Sequence, residues 1–297
     1  MTTHPVYTPL VTPFTDADGV DADALASLVE AVERRGVDGV APCGTTGEFA
    51  SLTDDEYRQV VETTVDAATG SVVTGVADTS VAGVRSRIDL AADLGSDAVL
   101  LTGPYFHTEN AAGGTESFLR AALADVSLPV YLYNLPVYVG ESLDVDTVAT
   151  LADDGVVQGL KDSSGDLEYL LTLARETPTD FDLFCGYDSI LVPALTNGTT
   201  GGINALSNVV PEVFDAATSA LEAGDVERAV AISQRAIGPL FANCAAHGFA
   251  PAAKVGAAAR GFIESTAVRP PLVDLDADDR AAVAAAVDDA LAVVDDH

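Results

Sequence analysis

Short apolar runs alternate along this chain with longer segments in which apolar residues recur every three or four positions. The opening stretch "VYTPLVTPF" (6–14) is mostly apolar, as expected of a strand that is buried on both faces. The next segment, "ADALASLVEAVERRG" (22–36), has leucine and valine at helical spacing. Asp21 is placed to cap the start of this helix, and Gly36 is placed to end it. The pattern predicts one strand followed by one helix.

The same strand and helix pattern recurs until about residue 222. The predicted strand segments lie within residues 6–14, 37–48, 71–78, 97–106, 128–136, 156–164, 181–188 and 200–206. Eight such units predict an α/β fold closed into a (β/α)8 TIM barrel, because a doubly wound sheet usually has fewer strands. We therefore predict a catalytic barrel over residues 1–222. Residues 223–297 are rich in alanine and valine and predict three helices packed on the barrel as a C-terminal helical extension.

Charge narrows the classes of function. The formal net charge is -32, which argues against a nucleic-acid partner because phosphate contacts need lysine or arginine. An acidic surface is screened at high salt, where the Debye length falls to ~3 Å at 1 M, so the composition predicts a salt-loving organism. The chain has no long apolar run and its start lacks the features of a signal peptide. We expect a cytoplasmic protein without a membrane partner.

Cysteine and histidine usage argues against metal chemistry and against a disulfide framework. Cys43, Cys185 and Cys244 are widely spaced and form no C-x-x-C pair. Small buried thiols are the better interpretation of all three. The four histidines form no recognisable ligand pattern, so the sequence predicts no metal site.

Lysine is rare in this chain, and one of the two lysines lies at the predicted end of strand six. In "QGLKDSSGD" (158–166), Lys161 would have its stem in the barrel and its amine at the mouth, where chemistry occurs in such barrels. A neutral amine there could attack a carbonyl and form a Schiff base. The alternative is a lysine that pairs with Asp162 or extends from the rim. Lys254 lies in an alanine-rich segment that predicts a helix, and we expect it to make a surface or helix–helix contact.

Other polar residues fall at the same end of the predicted barrel. Tyr133 ends strand five and could move protons beside an iminium, or could simply be a core tyrosine. The loop "GTTGE" (44–48) offers two hydroxyls and free N–H groups for a carboxylate, or is a turn whose threonines cap a helix. Asp188 could bind a polyol or cap the helix that follows it.

Together, "GTTGE", "YNLP" (133–136) and "GLKDSSGD" (159–166) resemble the dihydrodipicolinate synthase/N-acetylneuraminate lyase family of class I aldolases. The resemblance covers the whole chain and implies a homotetramer of (β/α)8 barrels with no metal or organic cofactor. It also implies the roles of individual residues in this sequence. By this resemblance, Lys161 would form the Schiff base and Tyr133 would shuttle protons. Thr45 and Thr46 would bind the carboxylate, and the pocket would be lined by Gly186, Asp188 and Ile203.

Two departures from the family pattern indicate which activity within the family this sequence is more similar to. Dihydrodipicolinate synthases typically carry an arginine shortly after the "YN-x-P" turn, where this chain has Tyr138. They also have a second tyrosine at the turn where this chain has Phe106. Loss of an arginine removes recognition of a second carboxylate. The sequence is more similar to archaeal 2-keto-3-deoxygluconate aldolases, which release pyruvate and an aldehyde.

We therefore predict a class I aldolase that cleaves 2-keto-3-deoxygluconate or its 6-phosphate. The predicted strand-end loops are almost free of arginine, so no phosphate clamp is visible and both substrates stay open. The alternatives are dihydrodipicolinate synthase, a dehydratase of a related sugar acid, and a non-catalytic protein that binds a 2-oxo acid.

Overall fold

The computed structural model describes residues 3–107 and 113–295. Eight parallel strands form a closed barrel in the order β1 to β8, with each strand hydrogen-bonded to the next and β8 to β1. The predicted TIM barrel is therefore confirmed. The strands are β1 Val6–Thr8, β2 Gly39–Val40, β3 Ser71–Gly75, β4 Ala98–Thr102, β5 Val130–Asn134, β6 Gly159–Asp162, β7 Asp182–Cys185 and β8 Gly201–Ile203.

The strands are shorter than the apolar runs that predicted them. The run 6–14 contributes only Val6–Thr8 to the barrel, because Pro9 has no N–H to donate to a neighbouring strand. The remaining residues leave the barrel while staying buried, so apolar character continues where pairing stops. The loops that contain the candidate site residues therefore begin immediately after very short strands.

The helices cover the outside of the barrel. They are α1 Ala22–Glu33, α2 Asp54–Ala67, α3 Val81–Leu94, α4 Gly114–Ala122, α5 Pro136–Val139, α6 Val145–Asp153, α7 Leu167–Glu176, α8 Leu191–Leu195, α9 Pro211–Glu222, α10 Val226–Ile232, α11 Gly238–His247, α12 Phe249–Ala259 and α13 Ala277–Asp295. Asp21 caps α1 as predicted, since its side chain accepts from the N–H of Ala24.

The region after α9 forms three helical stretches. A single π-helical turn, Ser233–Ile237, joins α10 to α11, and α12 and α13 follow. Buried residues of α12 and α13 belong to the same apolar core as the first helices of the barrel. The division at residue 222 stays a prediction. Within the described residues, no helix combines the length and the apolar character needed to cross a membrane.

Alternation along the strands sorts side chains into two layers. Residues such as Leu132 point outward and pack against the helices, whereas Tyr133 points into the barrel. The barrel interior is filled partly by edge-to-face contacts of Phe184 with Tyr7 and Tyr131, with ring centroids 5.6 and 5.5 Å apart. The interior of the barrel is therefore packed with side chains at the level of these rings.

Candidate active site

Lys161 and Tyr133 lie side by side at the ends of β6 and β5. Their Cα atoms are partners in the strand register, so both side chains point into the barrel. The Nζ atom of Lys161 lies 4.3 Å from the centroid of the Tyr133 ring. Both residues are buried, at 4% and 7% exposure. The structure thus brings together the amine and the phenol that the sequence predicted for the site.

The amine of Lys161 is not held by a carboxylate. Across residues 3–107 and 113–295, its contact with the Tyr133 ring is accompanied by no hydrogen bond or ion pair. Asp162 points away and accepts hydrogen bonds from Asn134 Nδ2 at 2.6 Å and Ser164 Oγ at 2.8 Å. The alternative in which Asp162 pairs with Lys161 is therefore wrong, because successive residues of a strand face opposite sides.

Burial raises the pKa of Asp162, although the hydrogen bonds from Asn134 and Ser164 oppose that rise. Asn134 also accepts from the N–H of Leu143 at 2.9 Å, so its amide is oriented by both neighbours. The Asn134–Asp162 contact links the ends of β5 and β6 behind the reactive pair. It holds the two strand ends at a fixed separation.

Gly186 leaves room for the Lys161 side chain. A Cβ atom at Gly186 would lie 2.5 Å from Cε of Lys161 and would also collide with the Ser163 hydroxyl. The Gly186 N–H donates to the Asp162 carbonyl at 2.7 Å, which fixes the backbone close to β6. A glycine is therefore needed where the loop after β7 passes the lysine stem.

The loop after β2 presents unpaired donors. The backbone N–H groups of Gly44, Thr45 and Thr46 make no hydrogen bond within the described protein, nor do the hydroxyls of Thr45 and Thr46. The threonines do not cap a helix, since α2 is capped by Thr53 in a capping box with Glu56. Consecutive free N–H groups form a concavity that suits an anion such as a carboxylate.

A buried ion pair fixes the end of this loop, and the sequence analysis missed it. Glu48 has a left-handed φ of 56°, and its Oε1 lies 2.5 Å from Lys254 Nζ on α12. Both side chains are fully buried. The expectation that Lys254 makes a surface contact is wrong. A carboxylate inside a mostly apolar loop and a lone lysine in an alanine-rich helix were the available signals.

Further contacts enclose the ion pair. Lys254 also donates to the Ala267 carbonyl at 2.7 Å, and the second oxygen of Glu48 accepts from the Arg269 N–H at 2.9 Å. The Phe14 ring lies between two cations, with Lys254 Nζ 4.1 Å and Arg269 Cζ 4.2 Å from its centroid. The loop after β2 is therefore anchored to the C-terminal helices through a fully buried ion pair.

Asp188 is buried behind the site and serves the backbone. Its Oδ2 accepts from the Leu206 N–H at 2.8 Å, and its Oδ1 accepts from Asn204 Nδ2 at 3.2 Å. It does not cap the 3-10 turn that it begins. Burial raises its pKa, and the positive charge of Lys161 is among the opposing effects. Ile203 belongs to the same inner layer of the barrel as Tyr133.

A cavity of about 250 Å³ opens at the mouth of the barrel. Its lining residues include Thr45, Thr102, Tyr105, Leu135 and Tyr138, but neither Lys161 nor Tyr133. A larger concavity of about 560 Å³ lies between α10 and α13, away from Lys161. Among the described residues, no group of three or more His, Cys, Asp or Glu could hold a metal ion.

Comparison with known proteins identifies the family. The model of the dihydrodipicolinate synthetase family matches residues 3–290. The chain belongs to the dihydrodipicolinate synthetase family. It is accordingly an enzyme, a lyase built on the barrel of that family.

Two relatives in this dihydrodipicolinate synthetase family illustrate its range. An uncharacterised DapA-like lyase of Halobacterium salinarum is 35% identical over 284 residues, which cover 95% of this chain and 92% of the relative. A 4-hydroxy-tetrahydrodipicolinate synthase of Methanopyrus kandleri is 38% identical over 224 residues, covering 74% of each chain. One of these relatives is named for its reaction, and the other is named only as a lyase.

Two solved structures share the fold over nearly the whole chain. YagE of Escherichia coli K12, in complex with pyruvate, has a TM-score of 0.92 and 26% identity, covering 97% of this chain and 98% of its own. The KD(P)GA of T. tenax has a TM-score of 0.88 and 26% identity, covering 97% of this chain and 99% of its own. The fold of this chain is similar to the fold of both proteins.

Proposed function

We propose that this lyase is a Schiff-base aldolase that cleaves 2-keto-3-deoxygluconate or its 6-phosphate to pyruvate and glyceraldehyde or its 3-phosphate. The observation that carries the proposal is the Lys161 amine beside the Tyr133 ring, buried at the barrel mouth without a carboxylate partner. An amine so placed is available to attack a ketone. The pyruvate complex of the related YagE supports a 2-oxo acid as ligand.

The chemistry follows from these positions. The Lys161 amine adds to the C2 ketone, water is lost, and the resulting cationic iminium accepts electrons. Tyr133 relays the proton of the C4 hydroxyl by accepting it as the phenol passes on its own proton. The C3–C4 bond breaks, the aldehyde leaves, and the electron pair of that bond forms the enamine. A proton returns to C3, and water then hydrolyses the imine to release pyruvate and regenerate the amine.

The remaining predicted residues receive supporting roles. Thr45 and Thr46 bind the carboxylate of the substrate through their hydroxyls and the free N–H groups of their loop. Gly186 and Ile203 bound the pocket on the side of Lys161. Asp188 is a positioning residue that shapes the pocket wall, because both of its oxygens hold the turn after β8.

Reductive trapping tests this proposal. Borohydride added with pyruvate should attach one three-carbon unit to Lys161, detected by mass spectrometry of the intact protein and its peptides. A Lys161→Ala variant should remain unlabelled, and a Lys254→Arg variant should still be labelled at Lys161. Equal labelling of wild type and Lys161→Ala, or no labelling of wild type, would refute the Schiff base.

Dihydrodipicolinate synthase is the second candidate, favoured by the 38% identity to the Methanopyrus kandleri synthase. Against it, Tyr138 stands where that activity would need a cation for a second carboxylate, and its side chain is 65% exposed. Incubation with pyruvate and aspartate semialdehyde separates the candidates. Turnover of aspartate semialdehyde faster than condensation of pyruvate with glyceraldehyde would favour the synthase.

We also infer that the enzyme is a cytoplasmic homotetramer from a salt-loving organism. The net charge of -32 and the similarity to a Halobacterium salinarum protein support the salt preference. Phe106, Val137 and Tyr138 expose a large apolar surface beside the mouth, which supports burial against another subunit. Light scattering at molar salt should give four times the mass of one chain.

A further inference from the structure

Thr102 has a buried hydroxyl that no other described residue satisfies. The residue is 5% exposed, and its Oγ1 has no hydrogen-bond partner within the described protein. Two other buried threonines of the barrel differ, because Thr8 lies 2.8 Å from the Ser207 hydroxyl and Thr74 lies 2.8 Å from the Ser96 hydroxyl. An unpaired buried hydroxyl costs free energy that a valine of the same shape would avoid.

The strand register places Thr102 next to Tyr133. On β4, Leu101 packs outward among the helices and Leu100 packs inward with Tyr133. Thr102 lies on the same face as Leu100, because side chains alternate along a strand. Its Cα is also the register partner of Tyr133 on β5. The unpaired hydroxyl therefore lies in the interior, next to the proposed proton-shuttling tyrosine.

Thr102 also lines the cavity of about 250 Å³ at the mouth. Thr45, from the proposed carboxylate-binding loop, lines the same cavity, and Leu135 and Val139 add apolar wall. A substrate whose carboxylate is held by this loop can therefore extend past Thr102. Pockets of this kind fix orientation with a few polar groups on a mostly apolar wall.

We propose that Thr102 determines specificity by hydrogen-bonding a hydroxyl group in the aldehyde-derived half of the substrate. The inference rests on the proposed aldolase function and names the chemistry of that half as a hydroxylated aldehyde. A site built to bind a hydroxyl rejects an analogue that lacks it, because the protein group is then left unpaired. A bound hydroxyl would satisfy Thr102 in the complex.

The test compares two aldehydes of equal carbon number in condensation with saturating pyruvate. Glyceraldehyde carries hydroxyls and propanal does not. For Thr102→Val we expect kcat/KM for glyceraldehyde to fall about 10- to 100-fold, with the value for propanal changed less than about threefold. Thr102→Ser should keep most of the activity with glyceraldehyde. Borohydride trapping of pyruvate at Lys161 should be unchanged in both variants.

Thr199 provides a matched control. Its hydroxyl is also buried and unpaired, but it precedes β8 at the opposite end of the barrel from the mouth. Thr199→Val should leave the kcat/KM ratio of the two aldehydes at the wild-type value. If Thr102→Val lowered kcat/KM equally for both aldehydes, or lowered neither, the role of Thr102 would be overturned while the proposed aldolase function would stand. Wild type that forms no pyruvate adduct would overturn the proposed function, and the inference with it.

Discussion

Replacing Lys254 by methionine tests the buried ion pair that anchors the loop after β2. The substitution keeps an unbranched side chain that ends near the position of Cε and removes the ammonium, leaving Glu48 with the backbone N–H of Arg269 as its remaining partner. Because both side chains are fully buried, the carboxylate cannot recover its hydration without opening the core. Removing one partner of such a pair costs about 3–5 kcal/mol.

The same figure predicts the thermal effect. For a chain of this size, a loss of 1 kcal/mol lowers Tm by about 2–4 °C, so Lys254→Met should lower Tm by roughly 6–20 °C. The free energy of unfolding is measured by urea titration at molar salt, where exposed charges are screened but this pair is not. Arg34→Met is the matched control, because the Arg34–Glu30 pair is exposed and should contribute less than about 1 kcal/mol.

A double variant separates the pair from the packing of the lysine stem. Adding Glu48→Gln to Lys254→Met removes the unpaired charge while keeping an acceptor for Arg269, so part of the lost stability should return. The KM for pyruvate should follow the same order, since Glu48 closes the loop that holds Thr45. A single variant within about 1 kcal/mol of wild type, or a double variant less stable than the single one, would refute the reasoning.

Three further predictions concern the site and its surroundings. Gly186→Ala should reduce kcat by about 100-fold or more, because the new Cβ would displace Cε of Lys161, and pyruvate trapping measures the loss directly. The hydrogen bond from Arg269 lowers the pKa of Glu56 to about 2, below the value of about 4.3 in the unfolded chain. The stability that this contact contributes is therefore fully present above about pH 4.3 and is lost as the pH falls through about 2. The difference in unfolding free energy between wild type and Glu56→Gln should shrink over that range, and a constant difference would contradict it. Burial raises the pKa of Cys185 to about 12, so thiol reagents at pH 8 should label the cysteines only after denaturation; rapid labelling of the native protein would disprove this.

The barrel and the proximity of Lys161 to Tyr133 could be predicted from the sequence because both follow from local pattern and chain order. Eight apolar runs separated by helices leave little choice other than a closed parallel barrel, and consecutive strands are neighbours in it. Lys161 and Tyr133 end consecutive strands, so their proximity needed no knowledge of side-chain packing. The three cysteines were likewise predicted correctly as buried free thiols.

Side-chain partners across the fold were decided by the tertiary structure alone. Glu48 and Lys254 are 206 residues apart in sequence, and no periodicity relates a loop after β2 to a helix beyond β8. The sequence left Asp188 either to bind a polyol or to cap the helix that follows it, yet both of its oxygens accept hydrogen bonds from the turn after β8. The unpaired hydroxyl of Thr102 is visible only once every neighbour is placed. The sequence determined the strand order and the end of the barrel at which the candidate site residues lie, because both depend on the pattern of strands and helices along the backbone. Which polar atoms are satisfied depends on distant segments packed together, and only the folded chain decides it.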